Sequence, residues 1–197
     1  NAAVTIMALD YLLNLKMSKQ EWFEIGEELG ADVPFFFLGG RAIGLGRGSE
    51  VYSLQDHLPS YLLIVISAFP IATVEAYRQA SLRLTSQDNK SKIPAFCPAV
   101  IDNIESGKDL ENHFESVVFK NHPSLKQIKK RLLQNGATKA GLTGSGSAIV
   151  GFFDSKRDLR QAQMALRNKD IQLITTRTTT RKQYQDSLVQ CFQQETN

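Results

Sequence analysis

One carboxylate stands out for its setting. Asp32 lies in Leu29-Gly30-Ala31-Asp32-Val33-Pro34-Phe35-Phe36-Phe37-Leu38-Gly39-Gly40, between a helix-stopping glycine and a proline, ahead of an aromatic run. An aspartate held between glycine and proline is well placed for a general base. The same residue type also caps turns and helices, and the segment allows both roles. A second stretch, Ala140-Gly141-Leu142-Thr143-Gly144-Ser145-Gly146-Ser147-Ala148-Ile149-Val150-Gly151-Phe152-Phe153, sets two strand-like pieces around a Gly-Ser loop. Such a loop can turn several backbone N–H groups and hydroxyls toward one anion such as a phosphate. It can equally be a simple hairpin turn. The histidines His57, His113 and His122 are isolated and read as surface or capping residues.

The elements that must position these residues follow from apolar spacing. Ile6, Leu9, Leu12 and Leu13 keep the rhythm of an amphipathic helix that ends near Asn14. Ser18 with Glu21 forms a capping box opening a second helix, whose apolar face is Trp22, Ile25 and Leu29. Gly30 suits the left-handed position that closes it. Ala42 to Val51, with glycine at 44, 46 and 48, reads as a short strand or bent hairpin. The polar stretch from Asp56 to Ser60 reads as a domain boundary. Tyr61 to Ile66 is a continuous apolar run rich in β-branched residues, the pattern of a buried strand. Thr73 caps a predicted helix through Leu84, and helices are expected over Ala99–Glu105 and Leu110–Phe119. Ser124 opens a helix with Leu125, Ile128, Leu132 and Leu133 on one face, stopped at Gly136. Ser155 with Asp158 opens another, Ile171 to Thr178 alternates as a strand, and the polar tail to Asn197 reads as a helix or frayed end. The order after residue 61 is an α+β layout, one sheet with helices packed on one face.

Composition excludes several classes. The chain has 197 residues, enough for one or two domains, with 42% apolar and 22% charged residues. A net charge of +3, from 23 basic and 20 acidic residues scattered along the chain, does not argue for nucleic acid. Lys129-Lys130-Arg131 and Arg181-Lys182 read as solvated helix faces. Cys97 and Cys191 show no metal-ligand spacing and no disulfide framework, so reduced thiols and a cytoplasmic location are expected. The longest apolar run, Tyr61 to Phe69, is strand-sized, which argues against a membrane span. Asn1 is not an initiator, and the helical pattern is already under way at residue 2. A processed, truncated or fragmentary chain with a portion missing upstream is therefore expected.

Segments spread along the chain resemble the 4-diphosphocytidyl-2-C-methyl-D-erythritol kinases, a family of the GHMP kinase superfamily. Leu29 to Phe36, followed by Gly39-Gly40-Arg41-Ala42 and Gly46-Arg47-Gly48-Ser49-Glu50, resembles the family's central motif. Asn1-Ala2-Ala3 is similar to the end of its Gly-rich phosphate loop. Thr73-Val74-Glu75-Ala76-Tyr77 resembles a Thr-x-x-Ala-Tyr helix start, Asp109-Leu110-Glu111 an Asn-Asp-Leu-Glu motif with Lys108 in place of Asn, and Thr143 to Ala148 the third superfamily motif.

The resemblance implies an α+β, two-domain GHMP architecture. Residues 1–58 would be the second half of the N-terminal domain, and 59–197 a ferredoxin-like C-terminal domain with a polar tail. It implies phosphorylation of the 2-hydroxyl of a cytidyl-diphosphate small molecule, with ATP and Mg²⁺, in non-mevalonate isoprenoid synthesis. Asp32 would be the catalytic residue. Asn1, Ala2, Gly144, Ser145, Gly146 and Ser147 would lie at the ATP phosphates, with no protein metal ligand assigned. No nucleic acid or membrane partner is implied, and a homodimer is kept open. The family's catalytic lysine, its cytidine-reading residues and most of its phosphate loop lie upstream of Asn1. The chain alone is accordingly expected to bind ATP poorly, not to turn over, and to expose apolar surface on the helix at residues 2–14 and on the short strands after Gly40. Another GHMP small-molecule kinase, a non-catalytic binding or regulatory module, and an inactive fragment remain open alternatives.

Overall fold

A computed structural model describes residues 1–56, 60–67, 112, 114–144 and 146–194. The chain divides into two compact units, Asn1–Pro59 with Thr179–Asn197, and Ser60–Thr178. The helices expected from Thr73 to Leu84 and over Ala99–Glu105, the start of that over Leu110–Phe119, and the motifs at Thr73–Tyr77 and Asp109–Glu111 lie outside the described residues.

The second unit is built on a four-stranded antiparallel sheet. Its strands are β3 (Tyr61–Ser67), β4 (Lys139–Leu142), β5 (Ala148–Phe153) and β6 (Ile171–Arg177), in the order β4-β5-β3-β6. Between β3 and β4 lie α4 (Glu115–Asn121) and α5 (Pro123–Gln134), and between β5 and β6 lies α6 (Lys156–Leu166). This strand–helix–strand–strand–helix–strand order, with β3 and β5 central, is the split βαβ arrangement of ferredoxin-like folds. In β3 only Leu63, Val65 and Ser67 are buried, alternating with half-buried neighbours. The expected continuous buried strand is thus a one-faced strand, because an antiparallel sheet packs one face on its helices and the pleat alternates side chains. On that face Leu63, Val65, Ile149 and Phe153 meet Leu125, Ile128 and Leu132 of α5 and Leu159, Ala162 and Leu166 of α6. Helix α5 begins one residue earlier than expected, with Pro123 at its first turn, where its missing N–H is not needed. Leu133, expected on the apolar face, is exposed.

The first unit begins with α1 (Ala2–Leu13), which Asn14 ends in the left-handed conformation. Asp10 on α1 accepts the Met17 N–H at 3.0 Å and the Trp22 indole N–H at 3.1 Å, tying α1 to α2 (Lys19–Leu29). The predicted Ser18–Glu21 capping box is present. The short helix α3 (Phe35–Leu38) follows, then a hairpin of β1 (Ala42–Leu45) and β2 (Glu50–Ser53). Ala3, Ile6, Met7 and Phe37 form the core. Leu9, Leu12 and Leu13, expected on the same apolar face as Ile6, are exposed, Leu12 and Leu13 by more than 60%.

The C-terminal tail departs from its expected domain. It forms α7 (Arg181–Gln194), which packs within the first unit rather than with residues 60–178. Leu188 and Phe192 join the α1–α3 core, and Phe192 stacks on Tyr11 with ring centroids 5.6 Å apart. Asp56 anchors the start of the helix, accepting the backbone N–H of Arg181 at 2.6 Å and of Arg41 at 2.8 Å. The Arg181 guanidinium in turn donates to the carbonyls of Arg41 and Leu54. The Arg181 N–H holds the Asp56 carboxyl below its ordinary 3.8, against a smaller opposing effect of desolvation. A depressed carboxylate stabilises the fold fully above the unfolded value and loses that contribution as pH falls through the folded one. Urea-unfolding midpoints measured at pH 5 and below pH 3 are expected to show the first unit weakening at the acid end, and Asp56→Asn to lower the midpoint at pH 5 and flatten that dependence.

Candidate active site

The turn carrying Asp32 is rigid for reasons that lie around it. Helix α2 ends as the Gly30 N–H bonds the Gly26 carbonyl. Gly30 has φ 162° and ψ 147°, which is extended backbone and not the expected left-handed closure. The Val33 N–H then returns to the Gly30 carbonyl at 3.0 Å, folding Ala31 and Asp32 into a tight turn. Pro34 is fully buried, and Phe37 beneath the turn lies 5.5 Å from the Phe23 ring and 6.0 Å from Trp22. Gly26 admits that ring, since a Cβ there would stand 2.6 Å from it. The Asp32 side chain itself is exposed. Among the described residues its carboxylate accepts no hydrogen bond and meets no cation, and Pro34 stands at the N-cap of α3 with no side-chain cap bond. The capping role that the sequence left open is therefore not used, and a fixed backbone presents a carboxylate with no structural duty.

Helix α7 holds the same segment from its other side. The Tyr184 hydroxyl donates to the Phe36 carbonyl at 2.8 Å, and the Gln185 amide donates to the Leu38 carbonyl at 3.3 Å. Burial pushes the Tyr184 phenol above its ordinary value of 10.0. These residues were not found by sequence reasoning. Their signal was the spacing of Tyr184, Leu188 and Phe192 in an otherwise polar tail. Asn1 and Ala2, predicted at the phosphates, lie at the start of α1. Asn1 is an exposed N-cap without a side-chain bond, and its carbonyl accepts both the N–H and the hydroxyl of Thr5.

In the second unit Gly144, Gly146 and Ser147 lie in the turn that joins β4 to β5, whose last paired residues are Leu142 and Ile149. Ser145 lies outside the described residues. The hairpin reading holds, and the turn's carbonyls are bonded from elsewhere in the unit. Asn112 donates its amide to the carbonyls of Leu142 and Gly144, both at 2.9 Å. Ser67 donates its hydroxyl to the Ser147 carbonyl at 2.9 Å. The Gly146 carbonyl accepts the Ala148 N–H, and the Ala148 carbonyl accepts the Thr143 N–H. The Leu142 N–H goes to Glu115, which also pairs with Lys129 at 2.7 Å. The N–H groups of Gly144, Gly146 and Ser147 make no hydrogen bond among the described residues. Gly144 has φ +60°, the left-handed conformation that glycine adopts without strain. Neither Asn112 nor Ser67 was legible as a site residue, since both act through backbone carbonyls far away in the chain. Among the described residues, no three His, Cys, Asp or Glu side chains converge to hold a metal ion, and no helix is long and apolar enough to cross a membrane.

Residues 98–172 match the family described as GHMP kinases C terminal. The 4-diphosphocytidyl-2-C-methyl-D-erythritol kinase of Solibacter usitatus is 39% identical over 166 residues, which are 82% of this chain and 52% of that protein. The kinase of the same name from Syntrophus aciditrophicus is 35% identical over 84% of this chain and 58% of its own length. A crystal structure of 4-(cytidine 5'-diphospho)-2C-methyl-D-erythritol kinase superposes with a TM-score of 0.67 at 26% identity, covering 90% of this chain and 63% of that one. In sequence and in fold this chain is similar to the GHMP kinases.

The homoserine kinase of Cytophaga hutchinsonii superposes at a TM-score of 0.64 with 20% identity, over 87% of this chain and 61% of its own, a likeness of fold alone. The chain spans about half the length of the curated relatives it matches. The seat of Tyr184 is open to test without substrate. Gly39 has φ +64°, and a Cβ there would stand 2.1 Å from the Tyr184 ring. Gly39→Ala is expected to destabilise the first unit by about 1–3 kcal/mol through strain and lost packing, read as a lower urea midpoint.

Proposed function

We propose that this chain serves an ATP-dependent kinase that phosphorylates the 2-hydroxyl of 4-diphosphocytidyl-2-C-methyl-D-erythritol, in non-mevalonate isoprenoid precursor synthesis. The observation that carries the substrate is that relatives of this one name match more than four-fifths of the chain, at 39% and 35% identity. The site supports the chemistry. Asp32, fixed in backbone and free in side chain, would orient the substrate hydroxyl and take its proton as the oxygen attacks the γ-phosphorus and ADP leaves. The N–H groups of Gly144, Gly146 and Ser147, unengaged among the described residues, would face phosphate oxygens, and Ser145 belongs to the same proposal. In the first unit, the first turn of α1, where Asn1 and Ala2 lie, would offer its positive end to phosphate. Most of the remaining acceleration in phosphoryl transfer is positioning and charge neutralisation.

Mg²⁺ belongs to the same proposal. It would neutralise the phosphate charge when bound, and this ion takes many of its ligands from phosphates and water. A cytoplasmic location and a small-molecule substrate complete the reading.

The test uses the protein encoded by the complete reading frame that contains these residues, assayed with ATP, Mg²⁺ and the cytidyl-diphosphate alcohol. Asp32→Asn is expected to lower kcat by about 10²–10⁴-fold with little change in KM for ATP, the usual weight of a general base. Unchanged turnover would remove Asp32 from the mechanism. Preference for homoserine or mevalonate in the same assay would move the substrate elsewhere in the family.

A further inference from the structure

The Gly-Ser turn has more carbonyl oxygens than amides committed, and two side chains account for the imbalance. A five-residue connection between antiparallel strands leaves carbonyls and N–H groups facing both ways unless something sorts them. Here the carbonyls of Leu142 and Gly144 converge on one Asn112 amide, which spends both of its protons on them. The Ser147 carbonyl turns to Ser67, a buried polar residue at the end of the central strand, taking both its hydroxyl at 2.9 Å and its N–H at 3.4 Å. Asn112 is itself held, because its carbonyl oxygen accepts the Phe114 N–H at 2.9 Å ahead of α4. The turn is thus pinned by its carbonyls at Gly144 and at Ser147, and the N–H groups of Gly144, Gly146 and Ser147 have no partner among the described residues.

We infer that Asn112 and Ser67 are positioning residues for anion binding, which draw the carbonyls of the Gly-Ser turn inward and so hold its N–H groups outward for a phosphate. The inference rests on the proposed contact between this turn and the phosphates of ATP. Asn112 touches neither phosphate nor substrate. Its contribution is the fraction of time the turn spends with its amides presented, and apparent affinity falls in proportion to that fraction.

The experiment titrates the ¹⁵N-labelled protein encoded by the complete reading frame with inorganic tripolyphosphate and follows the amide signals of Gly144, Gly146 and Ser147. In the native protein these signals shift and saturate. Asn112→Ser keeps a side-chain oxygen for the Phe114 N–H but is too short to reach the two carbonyls. It is expected to need about tenfold more tripolyphosphate, the weight of two hydrogen bonds, while amides of α5 and α6 keep their native positions. Ser67→Ala leaves the Ser67 N–H in place and is expected to cost about threefold, which keeps the test decisive if the Asn112 variant loses its dispersed spectrum. Native saturation in both variants would overturn the positioning role while leaving the phosphate contact standing. A native protein whose turn amides do not shift would overturn the phosphate contact, and this inference with it.

Discussion

The carbonyl oxygens of a one-turn helix and of a hairpin turn must find donors, and the arrangement of both candidate segments follows from how they do. Longer helices and strands satisfy most of their own backbone, but turns and the last carbonyls of a helix do not, and an unpaired carbonyl costs free energy wherever water is kept away. In the first unit the donors at Phe36 and Leu38 come from Tyr184 and Gln185. In the second the donors at Leu142, Gly144 and Ser147 come from Asn112 and Ser67. Each donor is at least 30 residues away in the chain, so each loop takes its shape from a distant part of its own unit.

This division of labour leaves the candidate site residues without structural work among the described residues. The Asp32 carboxylate does not cap α3, although the sequence allowed it, because Pro34 opens that helix and the buried Pro34 and Phe37 already fix the turn. The N–H groups of Gly144, Gly146 and Ser147 are likewise outside the hairpin ladder. The proposed phosphoryl transfer would use the carboxylate for the proton and the amides for the charge.

The tail shows how a polar segment can be structural. Helix α7 has little overall apolar character, yet Leu188 and Phe192 fall on one face and its first residue is pinned by Asp56. A charge-assisted bond to a backbone N–H at a helix start is stronger than a neutral one and works with the helix dipole. That explains why the tail joins the first unit although the chain reaches it only after completing the second.

Local pattern determined a good deal. The Ser18–Glu21 capping box, the Leu125-Ile128-Leu132 helix face, the strands on either side of the Gly-Ser loop and the α+β order are all set by spacing within a dozen residues, and the chain alone carries them. The resemblance to the kinase family was carried by short motifs, the run Ala31 to Phe36 above all and Thr143 to Ala148. Tertiary structure decided what local spacing does not encode. Leu9, Leu12 and Leu13 repeat like Ile6 but are exposed, because burial depends on which partner faces a helix and not on its periodicity. Gly30 is extended where a left-handed cap was expected, since the chain must turn at once into the Val33–Gly30 bond. The roles of Tyr184, Asn112 and Ser67 arise only when distant residues meet, because a side chain that serves another segment's backbone leaves no periodic trace in its own.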